Sequence, residues 1–209
     1  MKLQDTLKNL NKVFHFDGEY FCKSYETISE LDRLSLIKES EQYLKTHRKI
    51  EELHPPIMAE NFFDEKILEK ECWKNLTDKV TAEANNYSKS HLGINVKFES
   101  CWINKVGDYT DIDIKNTLYF DEDVQSYTDN HYHSHHENQL IGCIFYLQNP
   151  SEKYGTLIRT RNGSLVLDGT ENSLTIFDPR LYHTALVPNP EVTSKYPRYV
   201  ILMSFISSY

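Results

Sequence analysis

The sequence predicts an α+β fold that is mainly β: a barrel or sandwich of short strands, with helices from the first part of the chain packed on one face. Three observations carry this. Apolar residues at helical spacing (Trp73, Leu76, Val80, Ala84, Tyr87) are concentrated before Gly93, as on the buried stripe of an amphipathic helix. From Ile94 onward the apolar period falls to two, the repeat of a half-buried strand. Short apolar runs then follow at even intervals, broken by Asn-Pro, Asn-Gly, Asp-Gly and Asp-Pro, the pattern of an all-β core.

In chain order, Val13-Phe14-His15-Phe16 reads as a short β segment ended by Asp17-Gly18. Thr27 followed by Glu30 makes a capping-box pattern, and the helix it opens places Leu34, Ile37 and Leu44 on one face. Pro55-Pro56 marks a loop, and the helix of the Trp73 series has Gly93 as its stop. Ile94, Val96, Phe98, Trp102 and Asn104 share one parity, which predicts a long strand with all five on the same buried face. Residues 105–130 are polar and acidic (Asp108, Asp111, Asp113, Asp121, Glu122, Asp123, Asp129) and are expected to form a lid or recognition loop. Further strands are predicted over 140–148, 155–160, 164–168, 173–178, 183–187 and 198–206.

At 209 residues the chain fits one domain, 1–209, with a helical support region over 1–93 and a β core over 94–209 that carries the 105–130 insertion. The net charge of −8 and the lack of any Lys/Arg-rich run exclude nonspecific nucleic-acid binding. The four cysteines are widely spaced, without a Cys-x-x-Cys, and are expected to be reduced thiols. No signal-peptide or membrane-length apolar stretch stands out, so a cytoplasmic protein is expected.

Five of the nine histidines point to chemistry. His131, His133, His135 and His136 fall within six positions, and His183 follows beside a turn. Neutral imidazole is the commonest side-chain metal ligand. If 131–137 is extended, His131, His133, His135 and Glu137 share one face. Two neighbours of that set and a distant His183 would occupy one side of a metal ion and leave the other open, the logic of non-haem iron sites. Asn104 on an apolar face needs a hydrogen-bond partner, and Tyr146 either aims its hydroxyl into the pocket or packs.

The run His133-Ser-His135-His-Glu-Asn-Gln-Leu-Ile-Gly142-Cys-Ile-Phe-Tyr146-Leu147, then Gly155-Thr-Leu-Ile, Ser173-Leu-Thr-Ile-Phe177-Asp-Pro179-Arg-Leu-Tyr-His183 and Arg198-Tyr-Val-Ile-Leu-Met-Ser-Phe205 resembles the 2-oxoglutarate- and Fe(II)-dependent oxygenase superfamily. The likeness is to a branch, common in marine bacteria and phages, with His-x-His in place of His-x-Asp, and it covers roughly residues 70–206. It implies a double-stranded β-helix (jelly-roll or cupin-like) core. It further implies metal ligation by His133, His135 and His183, with His131 or Glu137 as alternatives for the second near ligand. Arg198 would pair with the distal carboxylate of 2-oxoglutarate, as a planar guanidinium suits, and Asn104 and Tyr146 would line the cosubstrate pocket. The implied activity is hydroxylation of a prime substrate coupled to 2-oxoglutarate decarboxylation, with ascorbate as an optional addition. Two other readings stay open: a cupin-like metalloprotein (an isomerase or metal binder) that uses no 2-oxoglutarate, and a non-catalytic binding protein with a surface histidine patch.

Overall fold

The computed structural model describes residues 12–46, 57–61, 65–106, 119–121, 126–128, 134, 138–188, 192 and 195–208. Its strands are β1 (Lys12–Phe16), β2 (Glu19–Ser24), β3 (Ile57–Asn61), β4 (Val96–Val106), β5 (Tyr119–Asp121), β6 (Ser126–Thr128), β7 (Gln139–Gln148), β8 (Thr156–Arg159), β9 (Ser164–Leu167), β10 (Ser173–Phe177), β11 (Tyr182–Val187) and β12 (Arg198–Ser207). The helices are α1 (Glu30–Thr46), α2 (Glu65–Leu68) and α3 (Glu71–His91). All the strand pairings are antiparallel and form two sheets, one of seven strands ordered β1-β2-β10-β7-β12-β4-β3 and one of five ordered β5-β6-β11-β8-β9. This is the predicted β core with helical support.

The large sheet is buried on both faces, and its sequence shows it: β10 (SLTIF) and most of β7 are buried at every position. Its outer face carries Cys101, Ile103, Cys143, Phe145, Leu174, Ile176, Ile201 and Met203, packed with Trp73, Leu76, Val80 and Ala84 of α3 and with Leu36 and Leu44 of α1. Its inner face carries Ile144, Tyr146, Phe177, Val200 and Phe21, packed against Ile158 and Leu167 of the small sheet. The site lies in that inner layer.

The α3 stripe and the Gly93 stop, with φ +69°, match the sequence expectation. The α1 cap does not. Ser29 Oγ accepts from the Asp32 N–H at 3.1 Å and donates to the Asp32 carboxylate at 2.7 Å, so the reciprocal pair is Ser29/Asp32 rather than Thr27/Glu30. Leu34 is exposed, and the buried face runs through Arg33, Leu36, Ser40 and Leu44. Glu30 is instead bonded to Arg33, whose Nη1 reaches the Leu147 carbonyl at 2.8 Å and ties the helix to β7.

A second correction bears on the site. In the β4–β12 ladder Ser100 pairs with Ser204 and Phe98 with Phe205, leaving Glu99 as an extra residue. Such a bulge flips the alternation. Val96 and Phe98 therefore join the helix-facing core with Cys101 and Ile103, whereas Trp102 lines a cavity on the inner face. Asn104 shares the parity of Trp102 beyond the bulge. The five residues share a parity but not a face.

Two strands went unanticipated in the first sixty residues. β2 follows β1 through Asp17-Gly18, both at positive φ (+52° and +88°), the geometry of a two-residue type I′ hairpin. β3 pairs with β4 at the sheet edge. The 105–130 insertion is also partly sheet, since β5 and β6 extend the small sheet through β11. Among the described residues no helix is long and apolar enough to cross a membrane.

One close approach locks the entry to β8 against the end of β9. A Cβ built on Gly155 would lie 1.7 Å from the Leu167 carbonyl oxygen, a backbone atom that cannot swing aside. Gly155→Ala is therefore expected to destabilise the fold by about 3 kcal/mol or more, read as a lowered midpoint in urea unfolding; an unchanged midpoint would contradict this packing.

Candidate functional site

His183 enters from β11 of the small sheet and is 3% exposed. Its Nδ1 lies 2.7 Å from the Leu181 carbonyl oxygen. A carbonyl only accepts, so Nδ1 is the protonated nitrogen and, in the neutral imidazole, Nε2 carries the lone pair. A backbone carbonyl fixing one ring nitrogen is the usual support of a metal-ligating histidine. The ring meets Phe177 edge-on at 5.1 Å. It borders a cavity of about 10 Å³ whose described wall includes Trp102, Gly142, Ile144, Phe177, Leu202 and Ser204, room for about one water. Gly142 is small for a reason: a Cβ there would press on Pro179 at 3.0 Å and on the Phe177 ring at 3.4 Å.

Arg198 opens β12 and is 1% exposed. Its Nε and Nη2 donate to the carbonyls of Tyr154 and Gly155 at 3.2 and 3.3 Å. From Leu202, beside His183, to Arg198 is four residues of β12, roughly 13 Å of strand. Arg198, Val200, Leu202 and Ser204 alternate onto one face, so His183 and Arg198 stand at two ends of one interior.

Tyr146 lies between them. It is fully buried, its hydroxyl is 2.8 Å from Thr156 Oγ1, and the Arg198 guanidinium carbon is 5.8 Å from its ring centre. Burial pushes the Tyr146 hydroxyl up to about 12, against the pull of the Arg198 charge. It is a neutral hydroxyl at ordinary pH. Asn104 stands in the same row, paired through Val200 to Tyr146. Its Oδ1 is buried and has no hydrogen-bond partner among the described residues, a feature that asks for a ligand or water donor.

The structure thus brings His183, Arg198, Tyr146 and Asn104 into one interior. His133 and His135, with the alternatives His131 and Glu137, lie outside the described residues. Among the described residues no three His, Cys, Asp or Glu side chains gather into a metal set. A metal ion at His183 would therefore take its other ligands from elsewhere. The cysteines are free and buried, and burial raises every one of their thiols, as expected for inert packing groups.

Two interior residues were not singled out in the sequence. Thr156 sits in a strand that was predicted, but nothing marks its hydroxyl. Lys23 comes from β2, is 3% exposed, and donates to the Asp168 carbonyl at 2.5 Å and to Thr175 Oγ1 at 3.1 Å. Its Nζ is 4.6 Å from the Tyr146 ring centre. An apolar flank with one lysine (Phe21-Cys22-Lys23) was the available signal.

No family model matches the chain, and no curated protein matches it in sequence. Solved structures do match in shape. The viral collagen prolyl hydroxylase of Paramecium bursaria chlorella virus-1, in complex with 2OG, superposes with a TM-score of 0.54 at 14% identity over 92% of this chain and 98% of that one. A prolyl-4-hydroxylase of Pseudomonas putida gives 0.59 at 9% identity, over 90% and 93%. The epimerase SnoN, in complex with Fe3+, alpha-ketoglutarate and nogalamycin RO, gives 0.60 at 9%, over 89% and 78%. The chain has the double-stranded β-helix fold of these enzymes. At such identities the likeness is one of fold.

Burial pulls Lys23 down to about 8, against the attraction of Asp168. A depressed folded value means that between about pH 8 and 10.5 the unfolded chain binds more protons than the folded one, so this group makes stability rise with pH there. The difference in unfolding free energy between wild type and Lys23→Met should shift in favour of wild type from pH 8 to 10, by urea titration at each pH. A constant difference would contradict the depressed value.

Proposed function

We propose that the protein is an Fe(II)- and 2-oxoglutarate-dependent oxygenase. The observation that carries the reading is the placement of His183 and Arg198, from facing sheets, at two ends of one buried interior that also holds Tyr146, Thr156 and Asn104. The fold shared with enzymes whose complexes contain 2OG or Fe3+ supports it. His183 fits a metal: its Nδ1 is fixed by a carbonyl, which leaves the lone pair on Nε2.

In this reading His183, with His133 and His135, holds the iron. Arg198 takes the distal carboxylate of 2-oxoglutarate through a charge-assisted pair. Tyr146 and Thr156 line the same end, and Asn104 Oδ1 faces a donor of the bound ligand or its water. Iron and 2-oxoglutarate together supply an oxidation coupled to release of succinate and CO₂. The apolar wall of Trp102, Ile144, Phe177 and Leu202 keeps bulk water from the reacting end. The 105–130 segment serves as the recognition element for the prime substrate.

A second reading, a metalloprotein on this fold without 2-oxoglutarate, is favoured by one observation: the Arg198 guanidinium already donates to two carbonyls. Arg198→Ala separates the two. Loss of a charge-assisted pair worth about 1.5–3 kcal/mol should weaken 2-oxoglutarate binding by roughly 10- to 150-fold. His183→Ala should abolish succinate formation from 2-oxoglutarate in the presence of Fe(II) and ascorbate. If wild type forms no succinate and shows no thermal shift with Fe(II) and 2-oxoglutarate, the oxygenase reading fails.

A further inference from the structure

The interior holds a second buried cation that the proposed function leaves unused. Lys23 reaches in from the β1–β2 hairpin, beside β10. Its ammonium is held by the Asp168 carbonyl, by Thr175 Oγ1 and, at 3.4 Å, by the Asp168 carboxylate. The ammonium also lies over the Tyr146 ring, 4.6 Å from its centre, and farther from the Tyr25 ring, at 5.8 Å. Arg198 approaches the Tyr146 ring at 5.8 Å. The ring is thus flanked by two cations, each attracted to its π-face, while its hydroxyl meets Thr156.

We propose that Lys23 is a positioning residue of the cosubstrate site: its charge holds the Tyr146 ring in the orientation that carries the hydroxyl to Thr156 and forms the wall beside Arg198, so that 2-oxoglutarate affinity requires Lys23 to be protonated. The inference rests on the reading that Arg198 receives the distal carboxylate.

Removing the proton removes the cation–π attraction and the pair with Asp168 together. The ring then loses one of its two supports, and the far end of the pocket loosens. Among Lys23, Asp168, Tyr25 and Tyr146, Lys23 is the group whose charge changes near pH 8. Asp168, from the connection between β9 and β10, is held below the usual carboxylate range: burial raises it, but the Lys23 charge and the Thr170 hydrogen bonds outweigh that. Tyr25, whose ring lies 5.8 Å from Nζ, is raised by its own burial and by Asp168, with Glu152 adding to it. Tyr146 is pushed up to about 12, and arginine stays charged throughout. Lys23 itself is drawn to about 8 by burial.

The test is calorimetric titration of 2-oxoglutarate into the full chain loaded with Mn(II) under anaerobic conditions, from pH 6.5 to 9.5. Wild type should lose affinity about tenfold across pH 8, the scale of a desolvated cation–π contact and its ion pair. Lys23→Arg keeps its charge and should move this loss beyond the range. Lys23→Met should bind about tenfold more weakly at pH 7 with a flat profile. Wild-type affinity that is flat through pH 9.5, or an alkaline loss that persists unmoved in Lys23→Arg, overturns the inference even if Lys23→Met does not fold. Binding that falls in Arg198→Ala but keeps its strength and profile in Lys23→Met overturns it alone. No binding by wild type at any pH overturns it together with the oxygenase reading.

Discussion

Burying the guanidinium of Arg198 sets the terms on which this barrel closes. A desolvated cation must find acceptors, and the backbone carbonyls of Tyr154 and Gly155 are among them. Those carbonyls can sit there because Gly155 has no side chain and lets its backbone rest against Leu167. The same approach brings the chain after Leu167 inward, so that Asp168 meets Lys23. Gly169 closes the turn: its N–H donates to the Glu152 carbonyl, and its own carbonyl accepts from Asn149 Nδ2. One buried charge thus links β12, the entry to β8, the exit of β9 and the N-terminal hairpin.

The large sheet lets that polar end coexist with a dry core. Its outer face pairs sulfur and aliphatic groups with α1 and α3 (Cys101, Met203, Cys143, Ile176 and Cys22 form one row across five strands), and this layer carries the apolar burial that drives folding. The inner face can then tolerate Lys23, Thr175, Asn104 and Arg198, because stability does not depend on that face alone. The Glu99 bulge changes which parity of β4 faces the helices, so that Val96 and Phe98 join Cys101 and Ile103 there while Trp102 turns to the cavity.

Most of the β core was legible in the sequence. Strands of period two with turn residues between them announce themselves locally, and β7 to β12 came within a residue or two of their predicted bounds. His183 and Arg198 were legible because each sits at a strand boundary that turn chemistry marks. The helix α3 was legible from its stripe. What was hidden depends on partners far away in the chain. A bulge is a property of a pairing, so the flip between Phe98 and Trp102 leaves no local trace. β3 and the interior role of Lys23 arise only when β4 and β10 are in place. At the α1 start, the shift of the cap from Thr27 to Ser29 follows from tertiary contacts: the Thr27 N–H donates to the Asn172 carbonyl and the Ile28 N–H to the Asn172 side chain.

The charge balance ties the proposed ligands to the proposed cosubstrate. A set of three neutral histidines leaves the two positive charges of Fe(II) uncompensated, whereas a His₂-carboxylate set cancels one of them. Toward the other end the interior holds Arg198 and Lys23, with Asp168 the one acidic group found beside Lys23 among the described residues. With iron bound as proposed, such an interior would be costly when dehydrated, and a dianion would relieve it. In the proposed reading 2-oxoglutarate would be that dianion, with one carboxylate toward the metal and the other toward Arg198. If His133 and His135 held the iron, that set would add no negative charge, and since Lys23 already has Asp168 beside it, the metal end and Arg198 would be the two ends left for a dianion; a monoanion would leave one of them unneutralised.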